Sequence, residues 1–122
     1  MTEQLGLVLT HAPTDSRLDT ALRLMRAWRH CQRPLFGLFL QGDAVALARR
    51  DSASPSDATE ALLDFCDSHA VPINACVGSC QSRGLCDPNG NPDEEAWDTR
   101  VTITGLGELS ALLSDCARVI SL

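Results

Sequence analysis

Nowhere in this 122-residue chain do lysine and arginine gather into a cluster or stripe, and 16 acidic residues outnumber 10 basic ones for a formal charge of −6. A chain without a basic track has little to neutralise a run of phosphates, which argues against direct nucleic-acid binding. An acidic balance still suits docking to a basic protein partner, where charge complementarity speeds encounter. No apolar run approaches the roughly 20 residues of a spanning helix, so no membrane role is expected. The start, MTEQLGLVLTHAP, lacks the positive segment and cleavage site of a secretory signal, and the expected location is the cytoplasm. Internal repeats and low-complexity tracts are missing too. So are a Ser-His-Asp order, a glycosidase pair of carboxylates and a P-loop, which leaves hydrolase chemistry without residues and implies no cofactor.

What is present reads as one domain over residues 1–122, long enough to bury a core without staples. Leu5 to Thr10 is a short apolar run without helical spacing, hence a buried strand. Leu18, Ala21, Leu22, Met25 and Trp28 recur at three and four and predict a helix from about Ser16 to His30, capped by Asp15 or Ser16. Leu35 to Leu40 is a second strand, and two buried strands joined by a helix make a right-handed parallel βαβ unit. A short helix is expected over Ala44 to Arg49 and a polar turn over Asp51 to Ala58. A helix over Thr59 to Ser68 follows, capped by Ser56 or Asp57. The third strand starts at His69, followed by a helix that Gly84 terminates near Arg83. Leu85 to Arg100 is a polar loop of functional or mobile length, pinned by Trp97. Val101 to Thr104, Glu108 to Ser114 and Arg118 to Leu122 complete the pattern as strand, helix and strand. The alternation reads as a three-layer α/β/α domain.

Six cysteines in a cytoplasmic chain are a poor disulfide framework. Cys31, Cys66 and Cys116 lie within apolar periodic stretches and read as core filler, while Cys76, Cys80 and Cys86 are bunched. Cys76 stands where a buried strand hands over to a helix. The unpaired N–H groups of that first turn favour a thiolate, the only good sulfur nucleophile, although a buried inert thiol is the plainer alternative. Sites in open parallel sheets gather at the carboxyl ends of strands. That places His11, Gln41 to Asp43, Cys76 and Gly105 to Gly107 on one rim, with His69 roughly 20 Å away at the other end of its strand. His11 is therefore the candidate base or imidazolium. Cys80, four residues after Cys76, would share its helix face as a resolving thiol or second sulfur acceptor, or merely fill an interface. A zinc site from Cys76, Cys80 and Cys86 lacks a fourth ligand unless His11 supplies it, so no metal is expected. The loop DPNGNPDEE has Pro92 and Asp98 where a calcium loop needs Gly and Glu. The Gly105 to Gly107 turn is too short a pattern to specify an anion site.

Three segments carry a family resemblance. HAVPINACVGSCQSRGLCD, His69 to Asp87, resembles the active-site segment of the DsrE/TusD family of sulfur-relay proteins, with His69, Val71, Asn74, Cys76, Val77, Arg83, Gly84 and Asp87 in matching places. TGLGELSALLSDCARVISL, Thr104 to Leu122, resembles the family's ending, and LFLQGDAV, Leu38 to Val45, more weakly its second-strand segment. The resemblance implies a DsrEFH-like five-stranded parallel sheet flanked by helices, and a sulfurtransferase carrying sulfur as a persulfide on Cys76. Gly78 and Ser79 would let a partner's cysteine approach, and Arg83 would steer an acidic partner segment. It further implies homologous TusB/TusC (DsrH/DsrF)-like subunits, a TusA-like donor and a TusE/DsrC-like acceptor, serving tRNA 2-thiouridine synthesis or dissimilatory sulfur oxidation. Departures from the family are Cys80 and Cys86 where alanine and an aliphatic residue are usual, Gln41 in place of an aromatic, His11 to Pro13 in place of a GP-type turn, and a shorter loop after Arg83. A non-catalytic scaffold subunit and a redox sensor using Cys76 and Cys80 are the alternatives.

Overall fold

The computed structural model describes residues 3–50 and 56–122. Its five strands are β1 (Leu5–Leu9), β2 (Leu35–Leu40), β3 (Ile73–Cys76), β4 (Val101–Thr104) and β5 (Arg118–Ser121). They form an all-parallel sheet in the order β4-β3-β2-β1-β5. The chain steps outward from β1 to β4, then returns to pair β5 on the free side of β1. Successive side chains alternate between faces, so Leu7, Leu38, Ile73 and Val101 share one side while Val8, Phe39, Asn74 and Thr102 share the other.

On the first side lie α1 (Asp15–His30) and α2 (Asp57–Ser68). Thr14, not Asp15 or Ser16, caps α1: its hydroxyl accepts the Arg17 N–H, and Leu18, Ala21, Leu22 and Met25 are buried. Ser56 caps α2 by accepting the Thr59 N–H at 3.1 Å, which extends that helix two residues beyond its expected start. Residues 51–55 of the expected polar turn lie outside the described residues. Both helices drive these side chains into the main core beside Leu5, Leu7, Leu38, Leu40 and Ile73. The other side carries α4 (Leu106–Asp115), which begins two residues early, after its N-cap Gly105, and presses Leu112 onto Val8 and Phe39. A Cβ on Gly6 would stand 2.7 Å from the Leu112 side chain, so this close approach requires glycine.

Three expectations are corrected. The third strand begins at Ile73 rather than His69, because α2 runs to Ser68 and His69 is its C-cap, stacked on Phe65 at 4.2 Å between ring centroids. The expected helix at Ala44 is a 3-10 helix, Gly42–Ala48, burying Ala44, Val45, Leu47 and Ala48. Cys31 is exposed at the C-cap of α1 and Cys116 is half-buried, so of the three supposed core fillers only Cys66 is buried. Among the described residues, no helix is long and apolar enough to cross a membrane.

Candidate active site

Cys76 ends β3 and is the N-cap of α3 (Val77–Ser82), with φ −63° and ψ 122°. Its side chain is 7% exposed and packs with Val8, Phe39 and Leu112 under α4. Burial opposes ionisation and is the largest single influence on this thiol. It is outweighed by the Ser79 N–H, the Ser79 hydroxyl, the Gly78 N–H and the charge of Arg83, which together hold the thiol below its ordinary range. None of these donors closes a full capping hydrogen bond to the side chain in the structure. Their proximity favours the thiolate, a far better acceptor than the thiol.

The other bunched cysteines differ. Cys80 is fully buried in the main core, on the side of α1 and α2, whereas Cys76 packs under α4. Burial pushes the Cys80 thiol up to about 12, as it does Cys66. Cys86 is half-buried beside the Val77 carbonyl, and desolvation followed by the charge of Asp87 raises its thiol. The two helix thiols thus face different cores although four residues separate them, because Cys76 precedes the helix and Cys80 lies within it. All six cysteines are free. Among the described residues no three Cys, His, Asp or Glu side chains converge as a metal ion would need, so the zinc alternative finds no donor set.

Two contacts tie α3 to the 3-10 helix along the rim. The Gly42 N–H donates to Ser79 Oγ at 2.9 Å, and Arg83 donates to Asp43 Oδ1 through Nη2 at 2.8 Å and Nε at 3.1 Å. Arg83 also bonds the Ser79 carbonyl and the Ser82 hydroxyl, so its guanidinium is engaged by its own chain. His11 sits on the expected rim but exposed, with Nδ1 3.1 Å from the Thr10 hydroxyl. The groups that most influence the Cys76 thiol are Ser79, Gly78 and Arg83 rather than His11. Gly78 is exposed, and its Cβ position is 3.9 Å from the Cys76 sulfur. Gly84 follows the Arg83 cap with φ +69°, and the Gly84 and Leu85 N–H groups bond Gln81 and Cys80 carbonyls in a Schellman ending.

The loop from Leu85 to Arg100 is fixed rather than loose. The Asp87 carboxylate accepts the Asn89 and Asn91 N–H groups at 2.9 Å, and Gln81 Nε2 donates to the Pro88 carbonyl at 3.1 Å. Trp97 is buried and donates its Nε1–H to the Val101 carbonyl at 2.8 Å, the pin expected of it. Sequence reasoning missed the roles of Gly42 and Asp43, whose partners lie 37 and 40 residues away, and the buried Asp98. Only their placement after the second strand hinted at the first two.

A model of the DsrE/DsrF-like family matches residues 3–122, nearly the whole chain, including the segment that delivers Cys76. The chain belongs to the DsrE/DsrF-like family. That family is associated with sulfur transfer. Among solved structures, the ychN protein from E. coli matches over 100% of both chains with a TM-score of 0.73 and 24% identity, a likeness of fold. Among curated proteins none matches this chain in sequence. The DsrEFH-like five-stranded parallel architecture expected from the sequence is the one observed.

Proposed function

We propose that this DsrE/DsrF-like chain is a protein sulfurtransferase that carries sulfane sulfur as a persulfide on Cys76. The observation that carries the reading is the contrast between thiols. Cys76 stands at the carboxyl end of β3 with its pKa lowered, while Cys80, one helical turn on, is buried and pushed up to about 12. In the first step the Cys76 thiolate attacks the terminal sulfur of a donor persulfide. A new S–S bond forms at Cys76, the donor's S–S bond breaks, and the donor leaves as a thiolate that takes up a proton. In the second step an acceptor thiolate attacks the outer sulfur of Cys76–S–SH, and Cys76 leaves as its thiolate. Each displacement is redox-neutral, and a lowered Cys76 pKa makes it a better leaving group in the second.

The proposed donor is a TusA-like carrier and the acceptor a TusE/DsrC-like one, in the cytoplasm, for tRNA thiolation or sulfur oxidation. Homologous TusB/TusC-like subunits complete the proposal, in keeping with a family whose members typically form hetero-oligomers. The test is intact-mass spectrometry after incubation with a cysteine desulfurase, cysteine and a TusA-like carrier. The wild type should gain the mass of one sulfur, removable by reductant, and Cys76→Ser should gain none. Uptake by Cys76→Ser would move the acceptor to another thiol. Failure of both proteins beside a loaded donor would overturn the relay.

A further inference from the structure

β4 is an edge strand of the sheet, and its four residues, Val101–Thr104, are all uncharged and β-branched. Such an edge accepts another strand unless lysine, proline or a covering segment blunts it. The direction of its main-chain groups follows from the register. The Leu38 N–H bonds the Pro72 carbonyl at 2.9 Å, so the main chain of Asn74 faces β2 and that of Ile73 and Ala75 faces β4. Thr102 and Thr104 therefore bond β3, while Val101 and Ile103 turn their N–H and C=O groups off the sheet. The chain itself takes those of Val101. Its N–H bonds the Asp98 carbonyl at 3.1 Å, and its carbonyl accepts the Trp97 Nε1–H at 2.8 Å. Among the described residues none takes those of Ile103. The Gly105 N–H continues the alternation, since Gly105 is extended, at φ −86° and ψ −176°, with open space at its Cβ position.

Beside Ile103 lies a cleft of about 660 Å³ whose lining includes Gly90, Pro92, Glu94, Trp97, Val101 and Ile103. Pro92 and Trp97 give it apolar walls, and Glu94, exposed between exposed Asp93 and Glu95, gives it an acidic lip. The cleft is continuous with the Cys76 site. The Cβ position of Gly90 is 3.3 Å from Val77 Cγ2, Val77 follows Cys76, and Thr104 is the register partner of Cys76. We propose that an extended, basic segment of the protein that exchanges sulfur with Cys76 pairs with β4 at Ile103 and Gly105 as a sixth strand, its cysteine just past the paired residues. The Ile103 N–H and C=O and the Gly105 N–H hold its backbone, and the apolar walls and acidic lip select its side chains. A sixth strand lies two strand spacings from β3, about 10 Å, and one or two further residues at about 3.3 Å each carry the cysteine over the rim. A second copy of this chain is disfavoured as the occupant, because pairing two β4 edges brings two acidic lips together. That the segment belongs to a sulfur carrier rests on the relay reading; the free edge does not.

The experiment has two arms. In the first, hydrogen exchange by NMR follows single amides of the wild type with and without an excess of the TusA-like carrier. In the protein alone, Ile103 and Gly105 should exchange faster than Thr102 and Thr104. With the carrier, exchange at Ile103 and Gly105 should slow by about tenfold or more. In the second arm, mass spectrometry follows sulfur loading of Cys76 from the persulfidated carrier and from sodium tetrasulfide, a donor too small to need a docking strand. Ile103→Pro removes a free N–H and no sheet hydrogen bond, and should lower the carrier-to-tetrasulfide rate ratio by about tenfold or more. Glu94→Lys should lower the same ratio about threefold at low salt. Should Ile103→Pro not fold, Glu94→Lys and the exchange arm decide. An unprotected Ile103 beside a carrier that transfers sulfur, or a ratio unchanged in both variants, overturns the strand pairing and leaves the relay standing. Protection of Ile103 by a carrier that passes no sulfur sinks the relay and keeps the pairing. Neither protection nor transfer overturns both. Protection that is present in the protein alone and fades on dilution makes the occupant a second copy, which also overturns the proposal.

Discussion

At the scale of single residues, the decisive competition is between burial, which penalises a sulfur anion, and donors that stabilise it. Cys66 and Cys80 have burial without donors, and their thiols are driven to about 12. Cys76 has both, and the donors win. Iodoacetamide at pH 7.5 should therefore label Cys76 in the folded protein while Cys66 and Cys80 stay unlabelled until denaturant is added. Peptide mapping checks this, and early labelling of Cys80 would contradict its burial. The lowered pKa also fixes a sign: labelling of Cys76 should persist to lower pH than labelling of free cysteine. The strand-to-helix cysteine was legible because an apolar run followed by small residues can be read locally. The rim contacts around it were not, because Gly42 and Asp43 lie 37 and 40 positions from their partners Ser79 and Arg83.

At the scale of elements, three helices end in the same Schellman pattern, but only α3 uses glycine at the left-handed position. Gln32 after α1 has φ 59° and Ala70 after α2 has φ 53°. The Val71 N–H bonds the Cys66 carbonyl at 2.8 Å and the Ala70 N–H bonds Asp67, so the strained residue is held by the motif itself. A residue with a Cβ in this region costs about 1–2 kcal/mol, less the entropy that glycine adds to the unfolded chain. Ala70→Gly should thus stabilise the protein by about 0.5–1 kcal/mol, read as a higher urea midpoint with unchanged slope. A lower midpoint would show that Ala70 is not strained. Helix existence was legible from spacing; the starts slid by one or two residues because Thr14, Asp15 and Ser16 are all competent caps and backbone geometry chose the first.

At the scale of the molecule, a charge network joins the 85–100 loop to α2 and to the end of the 3-10 helix. Asp98 is buried and accepts from Arg100 at 2.8–3.0 Å and from Arg50, while Arg100 and Arg50 also reach Glu60 and Arg100 reaches Asp64. Burial alone would raise the Asp98 pKa, but hydrogen bonds from Arg100 and Arg50 overturn that and hold it at about 2. A carboxylate whose folded pKa is depressed stabilises the fold above its unfolded value and ceases to as pH falls through its folded value. Asp98 thus contributes on the order of 2 kcal/mol at neutral pH, lost between about pH 4 and pH 2. Urea unfolding at pH 6 and at pH 2.5 should show this loss in wild type and much less of it in Asp98→Asn. The seat of α4 makes a second prediction. Gly6→Ala would drive a methyl group into Leu112 and the Cys116 sulfur, at 2.7 and 2.9 Å, and should cost about 1–3 kcal/mol in thermal or urea unfolding. A neutral result would mean that α4 shifts freely on the sheet.

Order and type of the elements, the parallel sheet and the candidate nucleophile were determined by the sequence itself. Each rests on local signals: apolar runs of strand length, three-and-four spacing, turn residues, and one cysteine at a junction. The tertiary structure alone decided which thiols are buried without donors and which meets them, which arginines are already engaged, and which groups meet at the rim. Those outcomes depend on residues 37 to 48 positions apart, such as Gly42 with Ser79, Asp43 with Arg83, and Arg50 with Asp98. Only the strand order brings such pairs within reach, and hydrogen bonds and charges act over a few ångströms.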